Sequence, residues 1–453
     1  MRHWMRFQRP PSRRRRRIVR LPPPLTLAVT FLALIVIGTV LLSLPWATIR
    51  PISLQQAAFT ATSAVTVTGL VVVDTAATFT RFGELVIAVL IQLGGLGVMA
   101  FAVLALSALG HRIGLSHQML LREDLNRTSI GDVVGLVRVI FLQVILFELV
   151  GTLLLAARWV PVQGWGDGLF NAAFHAISAF NNAGFSLFHG SLAQWAGDPV
   201  VNLTIPALYI AGGLGFAVVN ELLARRSIRR LSLHTKLMLI GTIALNVWAV
   251  AAFAGLEWHN PETLGGLAHT GDRLWAAWFQ GTTPRTAGFN TVDMGGITDA
   301  SALMMISLMF IGGGSTSTAG GIKVTTFMVL IFATGAFLRR RHEPVAFGRT
   351  IGAEDVLKVL ALTFIGLLAV MIGAFLLVAT HNLPFLDIAF EAASAFGTVG
   401  LSRGVTPELN TFGEWVIMAL MFLGRVGPLS VGFVLATPAT RLLRYPRASV
   451  YLG

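Results

Sequence analysis

Long apolar runs alternate with short polar connections along this chain. Between Leu25 and Leu44 no residue is charged, and at roughly 1.5 Å per residue such a run crosses a hydrocarbon core of about 30 Å. Similar runs cover 85–109, 139–155, 200–219, 237–255, 300–332, 359–380 and 415–440. They predict eight full spans, and an even number puts both termini on one side of a membrane. Each outward-facing gap between paired spans holds a further segment, too apolar for a loop and too short to cross.

Those four segments, 59–70, 174–185, 278–289 and 390–401, align on a glycine: Gly69, Gly184, Gly288 and Gly400. Ten positions before it stands an aromatic ring (Phe59, Phe174, Trp278, Phe390), six before it a small hydroxyl (Ser63, Ser178, Thr282, Ser394), and directly after it Leu70, Phe185, Phe289 and Leu401. Agreement of these columns in four segments marks an internal repeat. The predicted fold is an all-α membrane protein of four tandem units, each a helix, a pore half-helix, a filter strand and a helix, in pseudo-fourfold arrangement round a central pore. Its parts are a basic segment (1–24), repeats at 25–110, 135–226, 227–338 and 354–444, cytoplasmic loops at 111–134 and 339–353, and a C-terminal segment (445–453).

Composition narrows the function classes. Only 12% of the 453 residues are charged and 55% are hydrophobic, against about 25% charged in soluble chains, which excludes a soluble enzyme. There is no cysteine, hence no disulfide, thiolate metal site or cysteine nucleophile. The ten histidines form no metal-ligand pair one helical turn apart, and no Ser/His/Asp set stands out, so no enzyme is expected. The net charge of +13 would suit nucleic acid if it were spread over one face. Instead most of the basic residues cluster in 1–24, 112–138, 225–236, 339–358 and 441–447, which by the positive-inside rule makes these loops and both termini cytoplasmic, in a multi-pass plasma-membrane protein. The run Arg13 to Arg17 then reads as an anchor to anionic lipid headgroups, and no nucleic-acid partner is expected. The outer side holds only Arg50, Arg81, Arg158, Arg273 and Arg403 against a larger number of carboxylates, a sign that gathers cations.

The glycine-bearing strands supply the chemistry. Irregular backbone at membrane depth must be covered by protein or line a watery cavity, and rings of carbonyls can replace the hydration shell of a cation. Glycine turns successive carbonyls to one side at little cost. A single such glycine would read as a helix C-cap; four aligned copies read as a filter. The second span of each unit carries another aligned block in which Gly95, Gly213 and Gly313 share a column with Arg425. Arginine inside a span costs at least about 2.5 kcal/mol and marks function by default: either a positive barrier below the filter, or a structural group paired with Glu148 or a carbonyl. In the third unit the run 312–321 has too many glycines and hydroxyls to stay helical, so it reads as a mobile plug or as a close-packing stripe. It is no P-loop, since Gly321 is followed by Ile322 and only then Lys323. Arg285 is expected to brace the third strand, Glu148 to pair with a neighbour and Glu391 to charge the outer vestibule.

These residues resemble the superfamily of potassium transporters that includes the TrkH, KtrB and plant HKT proteins. The resemblance covers about Leu25 to Arg447. It is carried by Asn182-Ala183-Gly184-Phe185, by Arg285-Thr286-Ala287-Gly288-Phe289, by the glycine-rich interruption and by Phe422-Leu423-Gly424-Arg425. With only about two dozen residues before the first span the chain looks most like KtrB. The resemblance implies potassium uptake through filter carbonyls of Val67, Thr68, Gly69, Asn182, Ala183, Gly184, Thr286, Ala287, Gly288, Thr398, Val399 and Gly400. It implies a gate made of Gly312, Gly313, Gly314, Ser315, Thr316, Ser317, Thr318, Ala319, Gly320 and Gly321 with Arg425. It further implies sodium-dependent flux, a homodimer, and a cytosolic KtrA-like ring that binds ATP or ADP, with no organic cofactor in this chain. A coupled potassium/sodium symporter is the alternative; against it, the four units share one orientation instead of forming inverted pairs.

Overall fold

The structure, a computed structural model, describes residues 23–97 and 133–427 apart from 226, 316 and 342. The arginine run 13–17, most of the 111–134 loop, the segment 445–453 and the gate residue Thr316 lie outside the described residues.

The first unit comprises α1 (Pro23–Leu42), α2 (Leu54–Val65) and α3 (Arg81–Leu96). The second has α4 (Val133–Gln163), α5 (Trp165–Phe180), α6 (Pro199–Leu214) and α7 (Phe216–Ala224). The third has α8 (Leu233–Glu257), α9 (Thr270–Thr282), α10 (Asp299–Phe310) and α11 (Val324–Leu338), and the fourth α12 (Ala353–Val378), α13 (Phe385–Gly397) and α14 (Thr411–Val426). Between the last two units a small hairpin pairs β1 (Val345–Ala346) with β2 (Arg349–Thr350). Its two-residue turn has Phe347 and Gly348 at positive φ, 52° and 73°, the geometry whose twist matches a hairpin. Local chemistry starts the outward-facing helices: Thr80, Asp198, Thr298 and Asn410 each cap α3, α6, α10 and α14 by accepting a backbone N–H, as short oxygen-bearing side chains do at free helix N-termini.

Among the described residues four helices, α1, α4, α8 and α12, are long and apolar enough to cross a bilayer, or five spans if α6 and α7 count as one. Of the eight full spans expected, the second of the third unit is broken at the glycine-rich run as its composition predicts, and the second helices of the other units are also interrupted. After Gly215 the chain turns by 96° from α6 into α7, and α10 is separated from α11 by the glycine-rich run. At the same register α3 and α14 stop at Gly97 and Gly427, and all three glycines have positive φ (80°, 92° and 89°), outside the range that continues a helix.

The first helix of each unit carries apolar side chains on its surface, such as Val36 on α1, Leu146 on α4, Ile243 on α8 and Phe364 on α12. Such faces suit lipid, which competes with no contact between helices, so cohesion comes from close packing and hydrogen bonds instead. The short helices α2, α5, α9 and α13 are buried behind them. Packing between units runs in a cycle: α3 on α5, α6 on α9, α10 on α13, and α14 back on α2. Two of the sequence columns are the pegs of this cycle. Phe59 and Leu70 sit in the core of the fourth unit, Phe174 and Phe185 in that of the first, and Phe390 and Leu401 in that of the third. In the third unit Phe289 enters the core of the second, and Trp278 donates its indole N–H to the Asn202 carbonyl there, at 3.1 Å.

Candidate functional site

Each buried short helix ends in the same backbone figure. Val67, Asn182, Thr286 and Thr398 adopt left-handed φ of 51°, 59°, 71° and 50°, and two residues later Gly69, Gly184, Gly288 and Gly400 have φ of 92°, 69°, 77° and 94°. These segments form no β-pairing; they are turns in which every second residue has positive φ. A bulky residue in that region is strained by about 1–3 kcal/mol and persists only where surroundings enforce it. Here the amides of Thr68, Ala183 and Val399 return to the carbonyls of Ser63, Ser178 and Ser394 at 2.8, 2.8 and 2.9 Å. The hydroxyl column acts at the same place: Ser63 and Ser394 accept the N–H of Gly69 and Gly400 at 3.0 and 3.1 Å, while Ser178 donates to the Phe185 carbonyl at 2.8 Å. In the third unit the column residue Thr282 turns to the Tyr209 hydroxyl, and its neighbour Thr283 takes over, donating to Phe289 O at 2.7 Å.

The four glycines stand against one another. A side-chain carbon on Gly69 would run into the Ala183 carbonyl, one on Gly184 into the Cα of Gly288, one on Gly288 into the Val399 carbonyl, and one on Gly400 into the Thr68 carbonyl. The contacts close into a ring in unit order. All four glycines line one outward cavity of about 430 Å³, with Asp74, Asp293 and Arg403 also in its wall. Val67, Thr68, Asn182, Ala183, Thr286, Ala287, Thr398 and Val399 are buried beneath it. Arg403 is tied to Asp387 at 2.9 Å and Asp299 at 3.3 Å.

The glycine-rich run spans the break between α10 and α11 and lies against the inner side of these turns. Its ends are pinned together by Gly312 N–H to Ile322 O (2.8 Å) and Val324 N–H to Gly313 O (2.9 Å), and Gly314 N–H reaches Gly213 O of the second unit at 2.7 Å. Ser317 folds back on Gly314 O. Thr318 donates to Asn182 Oδ1 at 2.8 Å, and a side-chain carbon on Gly320 would strike the Thr398 hydroxyl. Three cationic side chains hold the run by its carbonyls. Arg285 donates to Gly312 O at 3.5 Å and also to Asn246 Oδ1 at 2.9 Å, Lys323 to Ala319 O at 2.6 Å, and Arg425 to Thr318 O. Arg425 reaches across to Gly94 O and Gly95 O at the end of α3, the latter at 2.9 Å.

Some expectations change here. Of the two partners considered for Arg425, Glu148 or a carbonyl, it bonds carbonyls, while Glu148 accepts from Asn181, which in turn reaches Gln92. Two glycines in the arginine's column answer to other neighbours, Gly95 to the Asn181 amide and Gly313 to Ala319, and only Gly213 has room. Glu391 is fully buried behind the fourth turn instead of charging the vestibule. Gly97, Gly215 and Gly427 share a further column of the same aligned block, and in the structure this column ends three helices.

Comparison with known proteins gives a consistent picture. Residues 23–445 match the TrkH family model, described as a cation transport protein. The chain is 51% identical over 435 residues, 96% of its length and 98% of the relative's, to the Ktr system potassium uptake protein B of Bacillus subtilis. It is 42% identical to the protein of that name from Vibrio alginolyticus, covering 95% of each, and 37% identical to the potassium/sodium uptake protein NtpJ of Enterococcus hirae, covering 96% and 98%. The crystal structure of the potassium transporter TrkH from Vibrio parahaemolyticus superposes with a TM-score of 0.73 at 20% identity over 94% of this chain and 87% of that one, a likeness of fold.

Proposed function

Because the chain belongs to the TrkH family of cation transport proteins, we propose that it is a potassium uptake pore with a backbone-carbonyl filter. It is a multi-pass membrane transporter and not an enzyme. The observation that carries the reading is the ring of Gly69, Gly184, Gly288 and Gly400 at the floor of one outward cavity. Turns with alternating positive φ free carbonyls that no helix uses, and four such turns meeting in pseudo-fourfold fashion offer a desolvated potassium ion oxygen in place of water. Val67 to Gly69, Asn182 to Gly184, Thr286 to Gly288 and Thr398 to Gly400 are the filter in this account.

Below it, Gly312 to Gly321 with Arg425 form the gate. Support comes from the run's contacts with Asn182 and Thr398 and from the guanidinium that ties Thr318 to α3. The names of the Ktr relatives support partnership with other members of a Ktr system; a cytosolic nucleotide-binding ring of the KtrA kind and a homodimer are what the family resemblance adds to that. The name of the potassium/sodium uptake relative supports a role for sodium in transport, and sodium as an activator is what the family resemblance implies. Clustered Lys and Arg support cytoplasmic termini.

Flux through vesicles containing the full chain tests the reading. A potassium gradient alone should drive net current, whereas obligatory exchange with no current would contradict a pore. Gly69→Ser should lower potassium-over-sodium discrimination; full retention would remove the first turn from the filter.

A further inference from the structure

We infer that in two non-adjacent units a buried side chain, His175 in the second and Glu391 in the fourth, clamps the filter turn from behind and thereby sets its selectivity. This rests on the filter reading above and adds positioning residues to it. Both side chains occupy the same register, nine positions before the glycine, and both are fully buried. Each meets a serine two positions after the glycine. His175 Nε2 lies 2.9 Å from Ser186 Oγ, and Glu391 Oε2 accepts from Ser402 Oγ at 2.7 Å.

Proton accounting makes the two arrangements equivalent. His175 Nδ1 is 2.7 Å from the Asn171 carbonyl, which can only accept, so Nδ1 carries a proton; burial with no carboxylate beside it among the described residues favours the neutral ring, in which Nε2 accepts the Ser186 hydroxyl. Each serine oxygen in turn accepts the amide two residues on, Phe188 N–H and Gly404 N–H, both at 3.1 Å. A chain of bonds thus runs from the backbone just outside the filter, through a serine, into an acceptor rooted in the half-helix. The carboxylate takes a second hydroxyl, that of Thr406. The imidazole is fixed by rings at 4.7 Å (Phe188) and 5.0 Å (Trp159).

The other two units lack both halves of the device together. Their register holds Thr60 and Phe279, and the serine position holds Val71 and Asn290. Thr60 bonds its own helix at Gln56 O, and in the third unit Gln280 accepts Thr291 N–H at 3.2 Å, one register later. Acceptor and serine therefore occur together or not at all, which a chance polar contact would not produce. Because carbonyl spacing decides how well a smaller ion is coordinated, a turn released at its outer end should relax toward sodium.

The test measures potassium and sodium flux ratios for the full-length chain in vesicles. Ser402→Ala, which removes the hydroxyl, and Glu391→Leu, which removes the acceptor, should each lower the ratio by about a few-fold to tenfold, the size of one lost buried hydrogen bond. The double variant should be no worse than either single one, and Ser402→Thr, which keeps the hydroxyl, should retain the ratio. Ser186→Ala should act in the same direction by about a few-fold. The serine variants guard against misfolding of the buried ones. Unchanged ratios at normal flux in Ser402→Ala and Ser186→Ala, or additive losses in the double variant, would overturn the clamp while a selectivity loss in Gly69→Ser leaves the filter standing. An unchanged ratio in Gly69→Ser as well would remove the filter reading and the clamp with it.

Discussion

At Gly288 a methyl group would run into the Val399 carbonyl while the backbone sits at φ 77°, so two separate costs coincide. The backbone cost alone is about 1–3 kcal/mol, and the carbonyl it would strike belongs to the neighbouring turn. Gly288→Ala should therefore abolish uptake and lower thermal stability. Gly213, whose nearest neighbour would be 3.6 Å from an added carbon, should accept alanine with near-normal stability. Melting and uptake assays on both variants check this; equal behaviour of the pair would mean that close approach is not what the ring glycines provide. The glycine positions, the aromatic pegs and the hydroxyls were all legible as columns, because each recurs at the same place in the repeated unit, even though the hydroxyls differ in the bond they make. The exchange of Thr282 for Thr283 was not. It depends on Tyr209 of another unit reaching Thr282, and no spacing within the segment reports that.

The proposed gate belongs to the scale of elements. A run with glycine at 312, 313, 314, 320 and 321 cannot pay for its shape with helix hydrogen bonds, and it is held from outside by Thr318 on Asn182 and by Arg285, Lys323 and Arg425 on its carbonyls. A hydrogen bond to a charged donor contributes about 1.5–3 kcal/mol. Arg425→Ala should raise basal flux by about tenfold or more, and Thr318→Val, which loses a neutral donor, by about a few-fold. Flux through the chain alone, without the proposed cytosolic partner, reads both, and unchanged flux in the two variants would put the gate elsewhere. The break between α10 and α11 was readable from composition. The turn at Gly215 was not, because glycines are common in membrane helices and a shared column does not say whether they pack or turn; only φ values of 80° to 92° at Gly97, Gly215 and Gly427 reveal that the column ends three helices.

At the scale of the whole molecule, the apolar surface and the closed cycle of units follow from the same constraint. Lipid satisfies the outer faces of α1, α4, α8 and α12, but it cannot satisfy backbone that leaves a helix. The irregular turns and the broken second helices are therefore gathered inside, each unit pegged into its neighbour by an aromatic ring and by the residue after the glycine. Four repeats with one polarity were evident from the spans; their closure, with α14 returning to α2, needed coordinates, since sequence order alone fits a row as well as a ring. A density map of the full chain in thallium or rubidium tests the central claim most directly. The account expects heavy-ion density on the axis enclosed by residues 67–69, 182–184, 286–288 and 398–400, at coordination distance from their carbonyl oxygens. Density confined to side-chain carboxylates, with none between the four turns, would contradict it.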